Sequence, residues 1–210
     1  LGADLFIPDA TTSESFGRRV AMSSDGTRVA AAGYGGSAQL GRVRVFEFDT
    51  ATKTWSQLGS DIEGPPSGQS WPTKLGYALE MSSDGNRLVM TTNDMNNDGF
   101  MRVYEYSTAS FDWQQVAEDV DVTSDRPGHS TAISSGGDIV AQTAVQMSGT
   151  NGGRVSMYQE TLGCPGTCWS QMGTDIMGEV YNHPNIWGLS SQLGYDVALA
   201  KTSLSMGELT

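Results

Sequence analysis

The stretch Asn93-Asp94-Met95-Asn96-Asn97-Asp98-Gly99 carries the residue types best suited to hold an ion. Asp94, Asn96 and Asp98 stand at every second position, so their oxygens can converge on one hard cation, and Gly99 permits the sharp turn that follows. Ca²⁺ is the expected ion, and an ordinary Asn/Asp-rich turn is the other reading of the same residues. The pattern reaches Glu105 at the twelfth position of a helix–loop–helix calcium site. Glu105, however, falls in an alternating strand with no flanking helices, and Arg102 stands where the ninth-position ligand would be. The equivalent stretches elsewhere, residues 33–40 and 147–153, have no carboxylate, so calcium would serve one place only.

Cys164-Pro165-Gly166-Thr167-Cys168 places two thiols around a Pro-Gly turn, which can bring their Cα atoms within disulfide range. Such a bridge would contribute roughly 2 kcal/mol and points to an oxidising compartment. Two free thiols or a redox pair are the alternatives, although no Cys-x-x-Cys precedes a helix. His129 aligns with Arg18 and Tyr77 of the other units and His183 precedes Pro184 in a loop, so both read as surface residues. Tyr181, Asn182, His183 and Trp187 make an aromatic connection that either contacts a ligand or packs on an edge of the fold. Asp4, Asp61, Asp119 and Asp175 recur at one position of a repeat. A structural hydrogen bond is needed once per repeat and an active site once per protein, so these carboxylates are expected to be structural. Glu118, Asp119, Asp121 and Asp125 read as a solvated acidic rim. No catalytic residue is assigned.

The elements that must position these residues come from a repeat. Met22-Ser23-Ser24-Asp25-Gly26-Thr27-Arg28-Val29 returns as Met81-Ser82-Ser83-Asp84-Gly85-Asn86-Arg87-Leu88, and Ser134-Ser135-Gly136-Gly137 replaces it in a third copy. Each unit has a glycine-entered alternating strand (16–22, 75–81, 127–133 and 193–199), a turn, and a second strand (28–32, 87–91, 139–143). A third strand (43–48, 101–106, 155–159) and a fourth that starts at a tryptophan (55–62, 113–120, 169–176) complete it. Asp-Gly is expected to supply both positive-φ positions of a two-residue hairpin turn. The 26 glycines and a charged fraction of 17% agree with short elements and tight turns.

Four antiparallel strands in roughly 60 residues, with no helix signal, is the pattern of propeller blades, with a sandwich or solenoid as the alternative. The expected fold is an all-β, partial β-propeller. Residues 1–5 form the last strand of a preceding blade, 16–62, 75–122 and 127–178 are blades, and 193–210 begin a further incomplete one. Starting and stopping in mid-unit suggests a piece of a longer polypeptide. Trp55, Trp113, Trp169, Phe46, Tyr104 and Tyr158 are expected to pack between blades, each contributing about 1.5–3 kcal/mol. A net charge of −12 disfavours nucleic acid and anionic membranes, and no apolar run is long enough to span a bilayer.

Leu75-Gly76-Tyr77, Ser82-Ser83-Asp84-Gly85-Asn86-Arg87-Leu88, Gly99-Phe100-Met101-Arg102-Val103-Tyr104-Glu105-Tyr106 and the Trp-x-Gln-x-x-x-Asp strand together resemble FG-GAP-type repeats of integrin-α-like β-propellers. The resemblance covers nearly the whole chain. It implies a secreted or cell-surface, non-enzymatic module that binds protein or glycan or serves as a structural scaffold, with calcium in hairpin loops. Other blades of a longer chain, or neighbouring subunits, would be its partners. A propeller-fold hydrolase or lyase whose active site lies mostly in other blades is the competing expectation. Such an enzyme should break the repeat at a polar cluster facing the ring axis.

Overall fold

The computed structural model describes residues 4–5, 15–34, 40–65, 74–92, 98–123, 127–145, 153–164, 166–178 and 196–199. Within them lie fifteen strands and no helix, which form three antiparallel sheets. The first sheet contains β1 (Arg19–Met22), β2 (Arg28–Gly33), β3 (Arg42–Asp49), β4 (Thr54–Gln57) and β5 (Ile62–Glu63). The second contains β6 (Leu79–Met81), β7 (Arg87–Thr91), β8 (Asp98–Ser107), β9 (Asp112–Gln115) and β10 (Val120–Thr123). The third contains β11 (Pro127–Ile133), β12 (Ile139–Ala144), β13 (Arg154–Cys164), β14 (Gly166–Gln171) and β15 (Ile176–Met177). Each is a four-strand meander whose third strand also carries a short fifth strand. The architecture is a partial β-propeller, as the repeat implied.

The sheets stack face to face because β2, β3, β7 and β12 bury consecutive residues, and so both of their faces. Ala30, Val43 and Val45 of the first blade meet Leu79, Leu88 and Met90 of the second in one core, and all six are nearly fully buried. Val89, Met101 and Val103 on the second blade's other face meet Ile133 and Val140 of the third. The innermost strands β1, β6 and β11 touch in succession, so they converge towards one axis. Small residues allow the close approach. Gly76 has φ +82°, and a Cβ there would lie 2.6 Å from the Ala32 Cβ of the preceding blade.

The aromatic residues divide. Trp113 is buried, and its indole Nε1 donates to Leu58 O of the first blade at 2.9 Å. Phe46 is buried, Tyr104 packs on the first inter-blade core, and Tyr158 and Trp169 pack on the second. Trp55 is half-buried and stands against Phe48 of its own blade, with ring centroids 5.0 Å apart.

The expected fourth strand is in fact two pieces. Leu58 N donates to Val45 O and Ile62 pairs with Val43, so Gly59, Ser60 and Asp61 all stand opposite Arg44. Gly59 turns the chain with φ 73°, and Gly173 does the same with φ 69° in the third blade. Such a bulge re-aims side chains, and here the re-aimed residue is the repeated aspartate.

The opening turn also differs from the two-residue form. Gly26, Gly85 and Gly137 have positive φ, but Asp25 and Asp84 do not. Ser23 N bonds Arg28 O and Gly26 N bonds Ser23 O, which closes a four-residue loop. The aspartate is an acceptor in that loop rather than a second left-handed residue.

Candidate functional site

Most polar residues of the repeat are engaged in holding blades. Ser23 Oγ and the Thr27 N–H both donate to Asp25 Oδ1, at 2.7 and 2.9 Å, and these bonds hold the Asp25 carboxyl down to about 2. Ser82, Asp84 and Asn86 repeat the arrangement. In the third blade Ser134 Oγ donates to Asp138 at 2.8 Å, so the carboxylate missing from the usual position is supplied two residues later. The turns are also tied to one another. Ser24 N donates to Ser83 O at 2.9 Å, and Ser83 N donates to Ser135 O at 3.2 Å. Arg28 reaches Glu47 in its own blade and Gly85 O and Asn86 in the next. Arg87 likewise joins Glu105 to Gly137 O and Glu160.

The repeated aspartates are structural. Arg44 grips Asp61 with two bonds of 2.6 and 2.7 Å, and Arg102 grips Asp119 with two of 2.6 Å. The bond to Asp119 pushes the Arg102 guanidinium above its ordinary value. Gln57, Gln115 and Gln171 each donate Nε2 to the aspartate of their own bulge. Asp175 receives Ser156 Oγ at 2.7 Å, because serine replaces arginine at that column.

The residues that do not repeat gather elsewhere. A cavity of about 290 Å³ opens where the innermost strands converge, lined by Arg19, Val20, Ala78, Leu79, Glu80, His129, Ser130, Thr131 and Asp196. Along the aligned first strands, Arg19, Ala78, Ser130 and Asp196 occupy one column, and Glu80 stands where the other copies have alanine. These departures from the repeat share one cavity. Burial, reinforced by the Asp196 charge, holds the Glu80 carboxyl above its ordinary range, against a bond from Met81 N. Ser130 Oγ donates to Asp196 at 2.9 Å, which seats the start of the fourth unit against β11. Arg19 Nε donates to Tyr77 O at 3.0 Å, and the His129 ring meets Tyr77 edge-on at 6.3 Å.

Asp94 and Asn96 lie outside the described residues, as do Tyr181, Asn182, His183 and Trp187. Asp98 is the first residue of β8, where its backbone pairs with Thr123. Cys164 and Cys168 fall on the facing strands β13 and β14 of one hairpin. The sequence reading missed Arg19, Glu80, Ser130 and Asp196. The available signal was the unlike column in the aligned first strands.

No protein-family model matches the chain, and no curated protein matches it. Solved structures do. A protein from Lactobacillus plantarum is 18% identical with a TM-score of 0.50 over 77% of this chain and 42% of its own. The β-propeller domain of Cps50 (Swd1) from Myceliophteria thermophila is 12% identical with a TM-score of 0.47, over 80% of this chain and 45% of its own. The chain thus spans less than half the length of either. Likeness at this identity bears on the fold alone.

Proposed function

We propose that the chain is a non-enzymatic, extracellular β-propeller module of FG-GAP-like type, a scaffold that binds protein or glycan at its axial opening. One observation carries the reading. The repeated charged residues are committed to turns and blade contacts, whereas the non-repeating ones, Arg19, Glu80, His129 and Asp196, line a single cavity. Concave sites with a few convergent polar groups are where ligands bind. A Cys164–Cys168 bridge across the β13–β14 hairpin, and with it an oxidising compartment, belongs to this reading. Calcium at Asp94, Asn96 and Asp98 belongs to the same reading.

The test is binding to glycan and extracellular-protein arrays by the wild-type chain, an R19Q/E80Q double variant and a Q114A control on the exposed outer strand β9. Signals lost in the double variant and kept in Q114A are expected. Signals that all three share would place recognition elsewhere. A hydrolase or lyase is the second reading, favoured by Glu80 with its raised carboxyl and His129 in one cavity, a pairing suited to acid–base work. Turnover of nitrophenyl esters or glycosides that E80Q abolishes would establish it instead.

A further inference from the structure

The axial cavity is electrically two-sided. Arg19 on β1 gives its Nε to Tyr77 O and its Nη1 to Arg18 O, both backbone carbonyls, so its positive charge has no carboxylate partner among the described residues. Glu80 on β6 faces Asp196 and a backbone N–H but no cation among the described residues. The two opposite charges line the same space without meeting. Elsewhere in this chain arginines find carboxylates: Arg28 with Glu47, Arg44 with Asp61, Arg87 with Glu160, Arg102 with Asp119. A guanidinium and a carboxylate held apart across a cavity form a fixed dipole, which favours a ligand of the reversed polarity.

We propose that this cavity binds a small zwitterion, its anionic group towards Arg19 and its ammonium group towards Glu80 and Asp196. A volume of about 290 Å³ suits a molecule of amino-acid size. Ser130, already donating to Asp196, keeps that carboxylate oriented towards the ammonium group. The inference rests on the axial site of the preceding section and narrows what it takes.

The experiment is isothermal titration of the full chain at low salt with glycine, β-alanine, γ-aminobutyrate and 6-aminohexanoate, against butyrate and butylamine as single-charge controls. At least one zwitterion should bind roughly tenfold or more tighter than both controls, a gap of about 1.4 kcal/mol. R19Q should remove the advantage over butylamine and E80Q the advantage over butyrate, with thermal melts confirming that both variants fold. R19K should keep part of the affinity, since it keeps the charge and loses the fork. No zwitterion exceeding the controls, or both variants binding as wild type does, overturns the proposal. If instead a neutral glycan binds the array in a manner sensitive to R19Q/E80Q, the zwitterion is excluded while axial recognition stands.

Discussion

Substituting Asp61 with alanine should cost far more than the same substitution at Asp175, although the two occupy the same place in the repeat. Asp61 accepts two short bonds from Arg44, whose side chain is only 10% exposed. Removing the carboxylate leaves that guanidinium largely buried and without its bidentate partner. Breaking a buried pair in this way costs about 3–5 kcal/mol, and the 16% exposure of the Asp61 side chain argues for the lower end, about 3 kcal/mol. At about 2–4 °C per kcal/mol for a chain of this length, D61A should melt roughly 6–12 °C below wild type. Asp175 accepts from neutral Ser156 and Gln171, with Arg154 at 3.5 Å and 26% exposed, so D175A should cost about 1 kcal/mol. The assay is urea and thermal unfolding followed by tryptophan fluorescence. An R44M/D61A double variant, which removes both charges, should recover most of the loss. If D61A and D175A fall within 1 kcal/mol of each other, the bulge is not held by a buried ion pair and the account fails.

Three further outcomes follow from the geometry. Gly17 and Gly76 have nearly the same positive φ, but a Cβ at Gly17 meets open space while one at Gly76 meets Ala32 and Val43. G17A should therefore cost about 1–2 kcal/mol of backbone strain and G76A another 1–3 kcal/mol or so for overpacking, read as denaturation midpoints; equal losses would refute the close blade contact. Because folding raises the Glu80 carboxyl, its protonated form favours the fold, and the stability it contributes below the unfolded pKa is lost as pH rises through the folded one. E80Q should melt above wild type at neutral pH and converge with it near pH ~4; a constant gap across that range would contradict the assignment. If the Asp98 loop holds calcium, a chelator should lower the wild-type melting temperature and D98A should erase the difference, whereas a wild-type protein indifferent to chelator carries no calcium there.

The strands, their antiparallel order and the structural role of the repeated aspartates were all legible in the sequence, because apolar alternation and recurrence report directly on burial and on place within the blade. The bulge was not. It puts three residues opposite one, so alternation keeps its phase: Leu58 and Ile62 face the same core on either side of it, as an unbroken strand would have them. Only the left-handed Gly59 and Gly173 hinted at the interruption. The third turn was legible, but the carboxylate that serves it was not. Its carboxylate moved from the column of Asp25 and Asp84 to that of Thr27 and Asn86, and Asp138 still reaches Ser134. The axial site was illegible because it takes no more than three residues from any one strand, and their neighbourhood exists only after the blades close on the axis.

The octapeptide is better understood as a joint between blades than as a turn within one. Within a blade, the loop closes in all three copies, with or without the arginine. What the arginine adds is reach: Arg28 holds the second blade's turn, and Arg87 holds the third's. The third copy has Ile139 at that position, so no arginine extends from it to a following turn. Among the described residues the third unit meets the next one at the axis, where Ser130 Oγ donates to the Asp196 carboxylate at 2.9 Å and accepts from the Val197 N–H at 3.3 Å. Where the first and second turns reach forward through arginine, the described contact from the third unit to the fourth is this serine–aspartate pair. That contact sets Asp196 beside Glu80, and the two carboxylates form the acidic wall of the cavity that Arg19 faces from β1.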